Sequence, residues 1–282
     1  MKFQPVQINC RGRLHVFRRP LVMGILNITP DSFYAGSRMA DDSNLLRTAE
    51  SMLKAGADVL DLGAQSTRPG AEMVGIDEEK RRLIPALCSI KSNFPDALIS
   101  VDTFIGSVAA DAAAAGADII NDVSAGEDDP EMLATVARLK LPYIAMHKQG
   151  VPATMQENPQ YDDVLAEVLS DFAQKITDLA SLGIHEVWID PGFGFGKTSA
   201  HNFRLLQALE DFQVLGKPLL VGVSRKGMVW RTLGITAEEA LNGSTVLHTV
   251  ALLKGASILR VHDVKEAVEV RSLLEAMQSA TA

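Results

Sequence analysis

KAGADVLDLG, at residues 54–63, is the stretch that decides the fold. A helical segment stops at Gly56, where a positive φ costs glycine little, and a short apolar strand with a polar residue near its end follows. The same order recurs in AGADIINDVS at 115–124 and in LKGASILRVHD at 253–263. Apolar runs of this kind are typical of strands that are buried on both faces of a parallel sheet. The repeat therefore predicts alternating helices and strands.

Strands of this type can be traced along the whole chain. The eight candidates are residues 21–27, 58–63, 97–103, 118–124, 142–147, 186–190, 218–224 and 257–262. Each is followed by a segment with helical spacing. Eight βα units in one chain of 282 residues, with no linker between them, predict an α/β fold that is a single (β/α)8 TIM barrel.

Two of the predicted helices have recognisable starts. Residues 42–55 carry an apolar stripe that Asp42 or Ser43 can cap, and Asp263 can cap a last helix over 264–278.

The first twenty residues do not follow the repeat. FQPVQINC and RLHVF predict a β-hairpin that turns at Arg11-Gly12 and closes the N-terminal end of the barrel. We therefore expect a hairpin over residues 1–20 and one barrel domain over 21–282.

Composition narrows the class of partner and the cell compartment. A net charge of −8 and a pI near 5.3 give no general attraction for nucleic acid or for an anionic membrane. No apolar run approaches the ~18 residues of a membrane span, and no signal peptide is recognisable. Two cysteines, Cys10 and Cys88, suit a reducing compartment. We expect a cytoplasmic protein with small-molecule partners.

In a barrel of this type, the active site forms where the strands end and in the loops that follow. Nearly every predicted strand brings a polar side chain there: Asn27, Asp61, Asp102, Asn121, Asp122, His147, Asp190, Ser224 to Lys226, and Arg260 to Asp263. Any one of these could be solvated or cap a helix, but the set as a whole indicates a site. Long loops follow the first, second and fifth strands, which suggests segments that cover a substrate.

Cationic residues at this rim predict an anion site. Arg260 and His262 alternate to the same side of the last strand, and Arg68 and Lys226 lie in rim loops. Together with an amide such as Asn27 they could bind phosphate, which barrels of this class often do near their last strands. A salt bridge inside the barrel mouth is the alternative for Arg260.

Carboxylates at the same rim predict a different part of the ligand. Asp102 and Asp190, with Asn121 between them in strand order, could accept the N–H groups of a flat heterocycle such as a pterin or a purine-like ring. Phe193 or Phe195 could add apolar contact. The histidines lack metal-ligand spacing, which argues against zinc, whereas Mg²⁺ bridging a diphosphate needs few protein ligands.

IDPGFGFGKTSAHN, at residues 189–202, comes within one residue of two phosphate-binding motifs. Pro191 stands where a P-loop needs its first glycine, and Lys197 stands where a dinucleotide-binding loop needs its third. We interpret the stretch as a sharp turn that leaves Asp190 facing the ligand and lets Phe195 wall the site. His201 would then be structural.

From about residue 20 to its C-terminus the chain resembles the bacterial dihydropteroate synthases, (β/α)8 enzymes of folate biosynthesis and sulfonamide targets. Nine motifs in the family's order carry the resemblance: MGILNITPDSF (23–33), STRPGA (66–71), SVDT (100–103), IINDVSA (119–125), MHKQG (146–150), TMQENPQYDDV (154–164), IDPGFGFGK (189–197), VGVSRK (221–226) and LRVHDVKE (259–266).

The resemblance implies a transferase. Such an enzyme joins 6-hydroxymethyl-7,8-dihydropterin diphosphate to p-aminobenzoate, and releases 7,8-dihydropteroate and diphosphate. We expect diphosphate to depart early, because an arylamine is a weak nucleophile. The residues expected to act in catalysis are Asp102, Lys226, Arg260 and His262.

The resemblance also assigns binding roles and an assembly. The residues implied to hold the pterin are Asp102, Asn121, Asp190 and Lys226. Asn27, Arg260 and His262 would receive the diphosphate, Asn27 would also bind Mg²⁺, and Thr67 would approach the pterin diphosphate. The implied p-aminobenzoate site consists of Arg68, Pro69, Phe195 and Ser224. A homodimer that contacts through the last helices is implied as well.

Departures from the family pattern keep other functions open. They fall at Ala35, Ser37, Ala64, Gln65, 104–106 and Lys148. They motivate the alternative of a catalytically weak homologue that binds pterin. A pterin-dependent methyltransferase barrel is a second alternative, although its substrate has no diphosphate for Arg260 and His262. A Schiff-base aldolase that uses Lys226 is a third, against which the polar neighbourhood of that lysine argues.

Overall fold

A computed structural model describes residues 5–28, 38–65, 74–150, 155 and 157–280. It begins with a hairpin of two antiparallel strands, β1 (Val6–Cys10) and β2 (Arg13–Phe17). Arg11 and Gly12 form the turn with φ of 53° and 79°, as a two-residue turn between twisted strands requires. The predicted hairpin is therefore confirmed, while the division of the chain into domains at residue 20 stays a prediction.

Eight parallel strands follow the hairpin. They are β3 (Leu21–Asn27), β4 (Val59–Gly63), β5 (Leu98–Asp102), β6 (Ile119–Asp122), β7 (Tyr143–Met146), β8 (Val187–Asp190), β9 (Leu220–Val221) and β10 (Ile258–Val261). Neighbours pair in the order β8-β7-β6-β5-β4-β3-β10-β9, and a bridge between Ile189 and Leu219 joins β8 to β9. The predicted (β/α)8 barrel is confirmed.

Helices surround this barrel. They are α1 (Arg38–Lys54), α2 (Ile76–Asn93), α3 (Gly106–Ala115), α4 (Met132–Leu139), α5 (Val164–Ser181), α6 (Ser199–Gln207), α7 (Gly227–Leu233), α8 (Leu241–Leu253) and α9 (Val264–Ser279), with a 3-10 helix at Leu209–Leu215. Along β4, Leu60 and Leu62 pack in a cluster with apolar residues of α1 to α3, while Asp61 faces the barrel interior. None of the helices within the described ranges is long and apolar enough to cross a membrane.

The repeated Gly-Ala segments explain how strands start in register. Gly56, Gly116 and Gly255 have φ of 99°, 114° and 94°, so each ends its helix in a conformation that glycine adopts at little cost. After the first two glycines, Asp58 and Asp118 each accept a backbone N–H from the preceding strand, those of Val22 and Ile99, at 2.9 Å. The aspartates therefore fix the entry of β4 and β6 at the N-terminal end of the barrel.

β1 closes that end of the barrel. The side chains of Val6, Ile8 and Cys10 are buried in one cluster with the first residues of the barrel strands, among them Leu21 and Trp188. Alternation along β1 turns one face inward and leaves the other exposed, as its burial pattern shows.

Three local predictions are wrong. The strand predicted over 218–224 is shorter, covering Leu220–Val221 with a bridge at Leu219, because the chain leaves the ladder at Gly222. The first helix begins at Arg38, so the start predicted at Asp42 or Ser43 lies inside it. Asp263 precedes α9 but makes no side-chain cap, because its carboxylate binds Arg225 at 2.8 Å instead.

Candidate active site

Arg260 lies at the centre of a buried charge network in the barrel mouth. Its Nε donates to Asp61 Oδ2 at 2.7 Å, and its Nη2 lies 2.6 Å from the same oxygen and donates to Asp102 Oδ2 at 2.7 Å. Both carboxylates are buried. The contacts join β10 to β4 and β5 across the interior, and one guanidinium thereby compensates two carboxylates. The salt bridge considered as the alternative for Arg260 is present.

Asn121 joins this network, whereas its neighbour Asp122 does not. Asn121 Nδ2 donates to the two carboxylate oxygens of Asp61 at 3.2 and 3.4 Å. Asp122 alternates to the other side of β6, where it accepts from the hydroxyl of Tyr143 at 2.6 Å and from the N–H of Ser124 at 2.7 Å. Asn121 therefore belongs to the site, and Asp122 braces the structure behind it.

Asp61 is the site residue to which no role was assigned from the sequence. It was recognised at the end of its strand, yet the structure makes it the partner of both Arg260 and Asn121. A signal was available, because a carboxylate between Leu60 and Leu62 must face the barrel interior and must find a cation there.

Lys226 and Asp190 reach the mouth from the ends of β9 and β8. The Lys226 ammonium lies 4.3 Å from the centroid of the Phe195 ring, within the range of a cation–π contact. Asp190 ends β8 and accepts the N–H of Gly192 at 2.8 Å. The polar neighbourhood expected for Lys226 is therefore wrong in part, because an aromatic ring covers its ammonium. Phe193, by contrast, is buried in the core.

His262 and Ser224 form a pair at the rim. Ser224 Oγ accepts the backbone N–H of His262 at 3.2 Å and lies 3.1 Å from its Nδ1. Partial desolvation and the charge of Arg260 lower the pKa of His262 to about 4, although the residue is exposed on one side. The imidazole is therefore neutral at pH 7.

Asn27 reaches the site from β3. A Cβ placed on Gly63 would lie 3.4 Å from Asp102 Cβ and 3.8 Å from Asn27 Oδ1. The ends of three adjacent strands thus bring the amide of Asn27 near the carboxylate of Asp102, with only the hydrogen of glycine between them.

Burial shifts the protonation of the charged groups. It raises the pKa of Asp102 to about 7; Arg260 opposes that shift and Asp61 adds to it. Burial lowers the pKa of Lys226 to about 8, with Arg260 acting in the same direction and Asp190 opposing it. Both groups therefore titrate near neutral pH, which is common for groups that handle substrate.

Gln65, one of the departures from the family pattern, connects the ends of the segment after β4. Its Nε2 donates to the carbonyl of Val74 at 3.0 Å and to Glu79 Oε2 at 2.9 Å, and its Oε1 accepts the N–H of Val74 at 3.0 Å. Glu79 is fully buried, and burial raises the pKa of its carboxyl. The amide thus supplies this carboxyl with a donor.

Several other predicted residues lie outside the described ranges or have structural roles. Thr67, Arg68 and Pro69, with Ala35 and Ser37, lie outside the described residues. His201 forms a reciprocal cap with Thr198 at the start of α6, so its structural interpretation is confirmed. The two side chains bind backbone N–H groups at this helix start. Within the described part of the chain, no three His, Cys, Asp or Glu side chains are grouped as metal ligands.

Comparison with known proteins agrees with this geometry. The family described as "Pterin binding enzyme" matches residues 23–262. The dihydropteroate synthase of Escherichia coli strain K12 is 45% identical over 263 residues, which cover 93% of each chain.

Solved structures give the same result. The Yersinia pestis dihydropteroate synthase in a sulfonamide drug complex has a TM-score of 0.91 and 41% identity, over 97% of this chain and 100% of that one. The Xanthomonas albilineans enzyme with 7,8-dihydropteroate has a TM-score of 0.86 and 38% identity, over 97% and 99%. The chain therefore belongs to the dihydropteroate synthase family of transferases.

Proposed function

We propose that this chain condenses 6-hydroxymethyl-7,8-dihydropterin diphosphate with p-aminobenzoate to give 7,8-dihydropteroate and diphosphate. The observation that carries the proposal is the network of Arg260 with Asp61 and Asp102, beside Asn121. This network would offer acceptors to the N–H groups of a pterin, beside a cation for a leaving anion. The family membership supports the same reaction.

The pterin is proposed to bind among Asp102, Asn121, Asp190 and Lys226. These side chains reach the mouth from four different strand ends, so a flat ring could be held along several of its edges. Asp190 and Asp102 both act on the pKa of Lys226, which supports their proximity to one another. Carboxylates that bind ring N–H groups would be compensated by the ligand as well as by Arg260.

The diphosphate is proposed to bind at Arg260, His262 and Asn27. Arg260 uses Nε and Nη2 for carboxylates, while its Nη1 makes no hydrogen bond to any residue that the structure describes. That corner of the guanidinium is suited to an oxyanion. The neutral His262 ring adds an N–H donor at the rim.

Mg²⁺ is proposed to bind at Asn27. The amide oxygen is a hard ligand, and Mg²⁺ commonly takes one or two protein ligands and completes its shell with water and substrate phosphates. When bound, Mg²⁺ would neutralise charge on the diphosphate. The chain's own contribution is to hold the pterin diphosphate so that its phosphates meet Asn27.

Bond breaking is proposed to run ahead of attack by the amine. As the carbon–oxygen bond to diphosphate weakens, Arg260 and His262 would take up negative charge on the leaving group. The carboxylate of Asp102 would stabilise the positive charge that develops on the pterin methylene. The amine of p-aminobenzoate then attacks this carbon and loses its proton.

The second substrate is proposed to lie beside Phe195 and Ser224, with Thr67, Arg68 and Pro69 contributing from the segment after β4. Phe195 is packed with Phe104 and Met146, so the ring has a fixed base. The ring of p-aminobenzoate could stack in this region. Since the Yersinia relative is described with a sulfonamide drug, we propose that sulfonamides compete for the same place.

The reaction is tested by diphosphate release in the presence of both substrates and Mg²⁺. Release that depends on p-aminobenzoate, with formation of dihydropteroate, is expected. Tight binding of pterin diphosphate without turnover would favour the alternative of a pterin-binding homologue. Methyl transfer from a pterin without a diphosphate would favour the methyltransferase alternative.

The pterin assignment is tested by Lys226→Ala. We expect the affinity for pterin diphosphate to fall by ~10-fold or more, the value for losing about one charge-assisted contact. Lys265→Ala, at an exposed lysine of α9, is the control. Unchanged affinity in Lys226→Ala would show that the pocket assignment is wrong.

A homodimer is proposed to form through α7 to α9. Large apolar side chains are exposed there, at Leu233, Val246, Leu253, Leu273 and Met277. Sedimentation should show a dimer that Leu273→Glu converts to a monomer, while Leu14→Glu on the hairpin should leave it intact. A monomeric parent protein would contradict the proposal.

We also propose a cytoplasmic protein that acts on small molecules and binds neither nucleic acid nor membrane. The two cysteines, Cys10 and Cys88, are both free, as a reducing compartment favours. Cell fractionation tests the location.

A further inference from the structure

Lys197 is a buried cation that none of the roles above uses. The residue is 2% exposed, and its Nζ lies 2.9 Å from Nδ1 of His147. It also donates to the carbonyl oxygens of His147 at 3.3 Å, Gly192 at 3.1 Å and Phe195 at 3.1 Å. Lysine is rarely buried to this extent, and here each acceptor belongs either to the loop at 192–196 or to the end of β7.

Two carbonyls of the loop at 192–196 accept hydrogen bonds from this ammonium. Gly192, Gly194 and Gly196 have φ of 69°, 81° and 61°, so the backbone turns repeatedly. Such a path turns the carbonyls of Gly192 and Phe195 inward, where Lys197 meets both. Without the ammonium, the inward carbonyls would lose a buried donor, which is costly for a backbone group.

The same loop packs directly on the chain after β7. A Cβ on Gly192 would overlap the carbonyl oxygen of His147, and a Cβ on Gly196 would overlap that of Gln149. Backbone therefore lies against backbone, and Lys197 binds both layers at once. The lysine side chain thus helps to set the height of the loop above the barrel mouth, together with Tyr161 and Asn202, which bind Gly196 and Gly194.

That height determines where Phe195 lies. Its ring is beside the Lys226 ammonium, and a Cβ on Gly194 would lie 3.5 Å from Cδ of Lys226. We propose that Lys197 is a positioning residue for the p-aminobenzoate side of the site: its ammonium holds residues 192–196 on the end of β7 so that Phe195 stays beside Lys226. This inference rests on the proposed assignment of Phe195 to the second substrate.

Burial shifts the pKa of both members of the pair. Burial and the charge of Lys197 lower the pKa of His147 to about 3, so its ring is neutral and Nδ1 can accept. Burial lowers the pKa of Lys197 to about 7, with Asp190 opposing the shift. The hydrogen bonds to three carbonyls favour the ammonium form.

The test is Lys197→Met, which keeps most of the length of the side chain and removes its donors. We expect the KM for p-aminobenzoate to rise by ~10-fold, corresponding to about one lost contact, while the dissociation constant for pterin diphosphate stays within ~2-fold. Lys217→Met is the matched control, because Lys217 also donates to a carbonyl, that of His185, at the opposite end of the barrel. An unchanged KM in folded Lys197→Met would overturn the proposal.

A double-mutant cycle with Phe195→Ala separates this inference from the function on which it rests. If Phe195→Ala alone leaves the KM for p-aminobenzoate unchanged, the proposed substrate assignment is wrong. If Phe195→Ala raises it, Lys197→Met should add little in that background, because both changes act through one ring. Full additivity would show that Lys197 does not act through Phe195. Should Lys197→Met fail to fold, Lys197→Gln enters the same cycle.

Discussion

At the barrel mouth, a single guanidinium compensates the charges of two carboxylates. Arg260 contacts Asp61 and Asp102 together, and Asn121 holds the first of them from the other side. Since the charge of Asp61 raises the pKa of Asp102, the proton affinity of Asp102 depends on a residue that lies deeper in the barrel. We therefore propose that Asp61, which lies below the mouth, controls the pKa of Asp102.

Asp61→Asn tests whether Asp61 controls the pKa of Asp102 or only supports the structure. Removing the charge of Asp61 should lower the pKa of Asp102, because one of the causes that raise it is lost. The acidic limb of the kcat/KM profile for pterin diphosphate should move to lower pH, and kcat/KM should fall by ~10-fold or more as Arg260 loses a partner.

Asp58→Asn, at the N-terminal end of the barrel, is the control for Asp61→Asn. It should destabilise the protein and leave the profile in place. An acidic limb that stays at its original pH in Asp61→Asn would contradict the coupling.

The pH dependence of kcat/KM should also have a basic limb. The Lys226 ammonium, with a pKa of about 8, loses its proton as pH rises, so pterin diphosphate binding should weaken above that value. Asp102, with a pKa of about 7, should give the acidic limb as its carboxylate gains a proton at lower pH. In Lys226→Arg, whose guanidinium stays charged, the basic limb should disappear; a limb at the same pH would assign it to another group.

At the level of elements, two glutamines act as substitute peptide groups beside long connections. Gln65 exchanges two hydrogen bonds with the backbone of Val74, and Gln149 does the same with Gln160, at 2.9 and 3.1 Å. Each side-chain amide thus imitates a strand neighbour and fixes the spacing between the two ends of a connection. Gln65 also supplies the buried Glu79 with a donor.

Replacing Gln65 should therefore affect stability. Gln65→Ala should lower the free energy of unfolding by ~2 kcal/mol, because Glu79 and both backbone groups of Val74 lose a buried partner. The exposed Gln174→Ala on α5 should change it by no more than ~0.5 kcal/mol. Chemical denaturation measures both changes in the free energy of unfolding, and equal losses in the two variants would contradict the role proposed for Gln65.

Gln65→Glu gives the same interaction a pH signature. Two adjacent buried carboxyls share a proton, so the folded-state pKa is raised above the unfolded value. The stability of this variant should then be retained at low pH and lost as pH rises toward the raised pKa. A deficit that is independent of pH would contradict this explanation.

The order of elements was predictable, and several of their details were not. The Gly-Ala repeats and the alternation of apolar runs predict all eight barrel strands because burial on both faces leaves a clear pattern. The length of β9 was not predictable, since Val223 continues the apolar pattern although the chain has already left the sheet at Gly222. The role of Lys197 was hidden for another reason, because a long side chain that folds back on its own loop leaves no spacing signal.

Across the whole molecule, the two ends of the barrel have different roles. The N-terminal end is tied by ion pairs such as Arg271 with Asp58 at 2.5 Å, and is covered by β1. The C-terminal end carries the charges proposed to meet substrate. Residues at strand ends could be predicted for the site because the barrel brings them together; their pairings required the three-dimensional structure.

Ile8→Ala tests the contribution of the hairpin to the whole fold. Ile8 is fully buried under the barrel, so its truncation should cost ~3 kcal/mol of unfolding free energy. Leu14→Ala, on the exposed face of the hairpin at 61% exposure, should cost less than ~0.5 kcal/mol. Turnover of the remaining folded protein should be unchanged in both, and a loss of kcat in folded Ile8→Ala would show that the two ends are coupled.

The barrel is closed between β8 and β9 by the bridge of Ile189 with Leu219, and we call this line the seam. Local opening of a sheet is easiest where few hydrogen bonds hold it, so amide exchange should be faster along this line than between β3 and β4. The strands on either side of the seam lead into Phe195 and Lys226. Local opening at this line would thus change the distance between these two side chains, next to the place proposed for the second substrate.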